Sequence, residues 1–246
     1  SIKTKDGRLL RLELNSTQKK LFSRILQLRQ QKKRIRIWVL KYRQGGISTF
    51  IEALIYALTS QQENRNALII ADEHEHADYL FDMSKLYQER LEKEEPHIPQ
   101  SLHRSNEKKL EFEGIRSQII IASAENTEAA KSHTFNYVHI SEAAFFRDLK
   151  KLLNDLNQTV PDHWDTVIIG ETTANGIEQF NKEWMRAIEG KTDWLPLFFP
   201  WFEMNEYSMP LENSFLYPLK GINFDADTSQ LQFEKEEQDL SLEFGL

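Results

Sequence analysis

The chain has 246 residues, 40% hydrophobic and 28% charged, enough for one large domain with a packed core. Its formal net charge of −7 offers nucleic acid no global attraction, so any such contact needs a local basic surface. No apolar run reaches membrane-span length, no signal-peptide pattern opens the chain, and the lack of cysteine excludes disulfides and thiolate metal sites. This reads as a soluble protein of the cell interior.

Leu14-Asn-Ser-Thr-Gln18 precedes a helix whose basic residues, Lys19, Lys20, Arg24, Arg29, Lys32, Lys33, Arg34 and Arg36, read as a solvated face and a basic turn. Arg36–Leu40 is expected to be a buried strand. It runs into the loop KYRQGGIST, Lys41–Thr49, and a helix with apolar spacing over Thr49–Thr59. Asn66–Ala71 reads as the next strand, and Glu73–Lys93 as a long charged helix stopped before Pro96. Lys109–Phe112 and Gln118–Ala122 look like a hairpin turning near Glu113 and Gly114. Tyr137–Ile140 and Thr166–Gly170 are short apolar strands, each followed by a helical pattern, and Trp194–Phe199 is a strand interrupted by Pro196. Such alternation argues for an α/β fold with a mostly parallel sheet covered on both faces. After about Tyr207 the pattern weakens into an acidic tail, so the expected division is a domain over 1–206 and a linker or lid segment over 207–246.

A strand, a Gly-Gly turn and a helix start together make an anion site, because free backbone N–H groups and the positive end of the helix dipole face the ligand. Gly45 and Gly46 let the backbone curl closely around phosphate oxygens, flanked by Gln44, Ile47 and Thr49, and Ser48 stands where a magnesium-binding hydroxyl is needed. The usual loop lysine is replaced by Ile47, so Lys41 and Arg43 on the other limb are the candidate phosphate cations. In YVHISE, Glu142 ends a buried strand and is placed to polarise an attacking water. The usual preceding aspartate is Ser141, which leaves magnesium to Ser48, Glu142, phosphates and water. GETTANG offers Thr172, Thr173, Asn175 and Gly176 at another strand exit, suited to sensing a phosphate. Gln18 has both donor and acceptor for an adenine edge. The cluster Asp72, Glu73, His74 and His76 reads as a solvated helix start rather than a metal site.

This ordered set resembles the ATPase domain of the large terminase subunit, the DNA-packaging motor of tailed phages, over roughly Leu14 to Phe199. KYRQGGIST is similar to that family's deviant Walker A, YVHISEAAFF to its Walker B with catalytic glutamate, GETTANG to its coupling motif, and Gln18 to its adenine-side glutamine. The resemblance implies a P-loop NTPase fold of the ASCE, RecA-like kind, with ATP and Mg2+. It implies hydrolysis driving double-stranded DNA into a procapsid in the host cytoplasm, outside the mature virion. Its implied partners are the portal protein, the small terminase subunit and further copies of the chain in a pentameric ring, the isolated chain being a monomer.

Two departures stand out. The family places a basic residue, usually arginine, about ten residues before the catalytic glutamate to reach a neighbour's nucleotide; here that place holds Lys131, with Arg104, Arg116 and Arg147 as alternatives. The family also continues into a nuclease domain, which a chain of this length does not hold, so the motor half alone is implied. Other readings are a helicase-like translocase, a nucleotide-binding assembly module with little turnover, and a metal-dependent nuclease built on scattered acids such as Asp165 and Glu171.

Overall fold

The structure, a computed structural model, describes residues 2–3, 7–95, 102–105, 108–112, 114–125 and 128–203. The expected segment 207–246 lies outside the described residues. In chain order the elements are β1 (Ile2–Lys3), β2 (Leu9–Leu10), α1 (Ser16–Gln30), β3 (Ile35–Lys41), α2 (Ile47–Ser60) and β4 (Asn66–Ala71). Next come α3 (His74–Glu94), β5 (Leu102–Ser105), β6 (Lys109–Phe112), β7 (Ser117–Ser123) and α4 (Ala129–Ser132). The series closes with β8 (Tyr137–Ser141), α5 (Leu149–Thr159), β9 (Val167–Thr172), α6 (Gln179–Ile188) and β10 (Leu195–Phe199). Short 3-10 turns occupy Ala143–Phe145 and Trp201–Glu203.

The eight-stranded sheet runs β10-β3-β9-β8-β4-β7-β6-β5. Pairings from β10 to β7 are parallel, and β6 and β5 close one edge as an antiparallel meander. Near-continuous apolar runs such as Ile35–Val39 and Ala67–Ala71 are buried, as strands covered on both faces must be. Successive side chains alternate between faces, and each face has its own apolar layer. One layer holds Ile37, Val39, Ile69 and Ile169 against Leu21, Ile51 and Phe81 of α1, α2 and α3. The other holds Trp38, Ile70, Ile140 and Ile168 against Leu152, Leu156 and Trp184 of α5 and α6.

Several boundaries differ from the expectation, each for a local reason. Helix α2 starts at Ile47, two residues early, because Gly46 at φ 72° turns the chain straight into it. Strand β9 continues to Thr172 because the flanking parallel ladders extend that far, pairing Thr172 with Leu40 and Glu171 with Ser141. Part of GETTANG is therefore strand, not loop. Pro196 sits inside β10, which among the described residues has β3 as its sole neighbour, and an edge strand tolerates a residue without an N–H. Among the described residues no helix is long and apolar enough to cross a membrane.

Candidate functional site

Strands β3, β8 and β9 end side by side, with β9 between the other two. Lys41, His139, Ser141 and Glu171 all occupy alternate positions that point to the α2 side of the sheet. The loop after β3 enters α2, whose N-cap is Gly46 and whose first turn has no side-chain cap, so its leading N–H groups are free to meet an anion. Gln44 at φ 63° and Gly46 at φ 72° both lie in the left-handed region, curling the backbone there. A Cβ on Gly45 would sit 2.8 Å from the Tyr42 ring, and one on Gly46 would sit 2.7 Å from Gln18 Nε2.

That loop is anchored from α1. The Asn15 side chain accepts from Gln18 N and the Gln18 Oε1 accepts from Asn15 N, a reciprocal capping box. The same two side chains then donate to the loop, Asn15 Nδ2 to the Gly45 carbonyl at 3.1 Å and Gln18 Nε2 to the Gly46 carbonyl at 2.7 Å. Gln18, expected beside adenine, is thus buried beneath the loop with its amide used at both ends. Ile47 is buried in the apolar layer, so the place of the usual loop lysine is core. Arg43 and Gln44 are exposed at the loop's tip, and Ser48 and Thr49 are half-buried in the first turn of α2.

Lys41 crosses to the carboxylates. Its Nζ donates to Glu142 Oε1 at 3.2 Å and lies 2.9 Å from Glu171 Oε2. Burial opposes the ammonium, but Glu171 and Glu142 outweigh that and raise the lysine's pKa. Glu142 follows β8 with φ 54° and ψ 47°, a left-handed conformation that costs a non-glycine residue about 1–3 kcal/mol and is held by its surroundings. Its Oε2 accepts from Thr173 N at 3.3 Å and, weakly, from Thr172 Oγ1 at 3.4 Å. Thr172 Oγ1 also accepts from Ala144 N, and Asn175 Nδ2 donates to the Ala144 carbonyl, so the strand-exit segment is latched to the backbone after Glu142. Gly176, at φ 73°, is exposed beyond this latch.

Glu171, in sequence one of several scattered acids, is central to this cluster. It is fully buried, and its Oε1 accepts from Ser141 Oγ at 2.8 Å and from Ser48 Oγ at 2.9 Å. Behind it lies His139, with Nε2 3.4 Å from Glu171 Oε1 and Nδ1 2.5 Å from Glu52 Oε1 of α2. Burial opposes the imidazolium, but the carboxylates on either side outweigh it and lift His139 to about 9. Burial likewise opposes the Glu171 carboxylate; Lys41 and then His139 reverse that and bring it down to about 2. The sequence alone places Glu171 near a strand exit; only the β8–β9 pairing sets it beside the motif that lacks its acid.

The remaining candidates lie elsewhere. Lys131 is on α4, beyond the end of β7, with Nζ 3.4 Å from Asp155 of α5. Arg116 stands in the turn before β7 and Arg147 just before α5. Arg104 is in β5, opposite Glu111. Asp165 is at the opposite end of β9 from Glu171, clasped by Arg29 at 2.8 Å and Arg65 at 2.6 Å, so the two acids do not form a joint nuclease site. Arg34 pairs with Asp162 and Asp193, Lys20 with Glu203, and Arg36 is buried against the Ile35 carbonyl and Thr166, its pKa lowered by that burial to about 10. The basic run is therefore partly spent on internal pairing. His76 pairs with Asp72 and His74 with Asp78 on an exposed helix start.

No protein-family model and no curated protein matches the chain. Solved structures do. A variant of the large terminase ATPase domain of Thermus phage P74-26 aligns with TM-score 0.57 and 14% identity, over 79% of this chain and 86% of that one. The HK97 bacteriophage large terminase aligns with TM-score 0.60 and 14% identity, over 95% of this chain and 49% of that one. The large terminase of the thermophilic bacteriophage D6E in complex with ADP aligns with TM-score 0.57 and 10% identity, over 85% and 51%. The chain spans about half the length of these two larger terminase chains. It has the fold of large-terminase ATPase domains.

Proposed function

We propose that this chain is the ATPase motor of a viral terminase, hydrolysing ATP to drive double-stranded DNA into a procapsid. One observation carries the reading: the phosphate loop's Lys41, the strand-end Glu142 and Thr172–Thr173 meet around a single carboxylate. Residues from widely separated stretches converge where an open α/β sheet binds ligands, at the carboxyl ends of its strands. The neighbour solved with ADP, and another D6E terminase structure solved with ATP-gamma-S at TM-score 0.54 and 14% identity, support a nucleotide in this fold.

In this reading the uncapped N–H groups of α2 and the glycine turn hold the phosphates, and Lys41 and Arg43 supply the cationic charge that Ile47 does not. Glu142 orients and polarises the attacking water. Thr172, Thr173 and Asn175, latched to the Glu142 segment, transmit the phosphate's presence, and Gly176 lets the following chain move. Oxygen donors suit a hard divalent cation, and Ser48 with a facing carboxylate fits one. Magnesium, when bound, supplies neutralisation of the phosphate charge. Lys131 acts across to a neighbouring copy in a ring. The portal protein, the small terminase subunit and the host cytoplasm complete the proposed setting.

A second reading, nucleotide binding with little turnover, is favoured by the ion pair between Lys41 and Glu142, since it occupies the carboxylate that an attacking water would need. Steady-state ATP hydrolysis by the wild type and by Glu142→Gln, beside calorimetric binding of ATP-gamma-S, separates the two. Loss of a group used in the transition state should lower the rate about 10²–10⁴-fold and leave affinity within a few-fold. Equal rates in both proteins would remove Glu142 from the chemistry, and failure of both to bind nucleotide would remove the site.

A further inference from the structure

We propose that Glu171 supplies the carboxylate of the magnesium site, standing on the neighbouring strand in place of the acid missing at Ser141. The inference rests on the nucleotide-binding reading and names the residue that reading leaves open.

Register comes first. Ser141 and Glu171 are paired Cα to Cα across the parallel strands β8 and β9, so their side chains leave the same face at the same height. A serine at 141 is short, and the longer glutamate reaches the spot that an aspartate on β8 would have filled. The two hydroxyls it binds define that spot, Ser141 at 2.8 Å and Ser48 at 2.9 Å, the second being the loop hydroxyl suited to a divalent cation. No comparable contact between Glu142 and Ser48 occurs. Glu142 is instead turned toward Lys41 and the Thr172–Thr173 backbone, where a water-orienting base belongs.

The second Glu171 oxygen carries the argument further. Oε2 is buried and faces the Lys41 ammonium at 2.9 Å. A lysine is a flexible partner, and phosphate drawing its ammonium away would leave that oxygen open to a divalent cation. Magnesium bound through one or two carboxylates, a hydroxyl and phosphates is ordinary coordination for that ion. The carboxylate is also kept charged and fixed, since His139, backed by Glu52, stands behind it and Lys41 in front. An aspartate at 141 beside this glutamate would place two like charges on adjacent strands. Residues 141 and 171 are thus a coupled choice, one acid between them.

The test is calorimetric binding of ATP-gamma-S with and without MgCl2 to the wild type, Glu171→Gln, Glu171→Asp and the double variant Ser141→Asp/Glu171→Gln. In the wild type Mg2+ should tighten binding. Glu171→Gln should lose about 10–100-fold of that metal response while metal-free nucleotide binds nearly as before. The double variant, with the acid moved back to β8, should regain most of it. If Glu171→Gln does not fold, Glu171→Asp decides: it keeps the charge but withdraws it by one methylene, and should lose about tenfold or more of the metal response. A wild-type metal response in Glu171→Gln, or in Glu171→Asp where that variant decides, overturns the assignment and leaves Glu171 an ion-pair partner only. A wild type that binds no nucleotide overturns the functional reading itself, which is a different result.

Discussion

The two faces of the sheet use the same alternating strands to opposite ends. On the face under α5 and α6, β3, β8 and β9 contribute Trp38, Val138, Ile140, Ile168 and Gly170, and the charge there, Arg36, lies at the end of β3 away from Lys41. Trp38 stacks on Trp194 with ring centroids 4.0 Å apart and meets Phe180 edge-on at 5.2 Å. Gly170 exists for this ring, because a Cβ there would lie 1.9 Å from Trp38 Cζ3. On the face under α2, the same strands contribute Lys41, His139, Ser141 and Glu171, joined to Glu52 and Ser48. One face is rigid filling. The other buries charge at a cost that packing cannot recover, and it does so where three strands end. The lesson is that a one-residue alternation lets a strand supply stiffness and chemistry from adjacent positions.

The largest expected effect breaks the dry face. Trp38→Ala should cost about 3–5 kcal/mol of stability in urea denaturation, with nucleotide affinity of the folded fraction unchanged. An affinity loss matching the stability loss would show that the faces are not separable. On the charged face, Glu52→Gln should cost about 1–3 kcal/mol by weakening the hydrogen bond to a buried His139. Unlike Trp38→Ala, it should also reduce the Mg2+ response of nucleotide binding, since His139 steadies Glu171; an unchanged response would make the Glu52–His139 pair purely structural. Smaller again, Asn15→Ala should cost about 1 kcal/mol as a lost helix cap, and should weaken nucleotide binding through the Gly45 carbonyl it holds. Thermal denaturation and calorimetry on one preparation check both parts. Ile177→Ser, at an exposed site on neither face, should stay within about 0.5 kcal/mol and leave binding alone; a larger shift in the same melt would reveal packing on that side chain.

Much of this was legible in the chain. The buried runs around Trp38, Leu68, Val138 and Ile168 announced parallel strands, because only a strand covered on both faces can be apolar at every position. Glycines after one run and an acid after another located the site at their exits. The pairing between strands was not legible. Nothing local says that β9 lies between β3 and β8, and without that neighbourhood Glu171 looks like one more acid while Ser141 looks like a missing one. Gln18 was similarly opaque: its donor and acceptor were visible, but Asn15 three residues earlier satisfies the acceptor and the loop takes the donor. Lys131 has no such local signature, and its pairing with Asp155 depends on how α4 meets α5.

The clasp between α1 and the glycine loop has a mechanical meaning. The chain before Asn15 leads directly into two side chains that grip the Gly45 and Gly46 carbonyls. A pull on the chain just before Asn15 is therefore carried through Asn15 and Gln18 to the loop before it strains the eight-stranded sheet. Under the proposed function, force and phosphate binding share one short load path, so a strained arm would loosen the grip on the ligand and a well-held ligand would stiffen the arm.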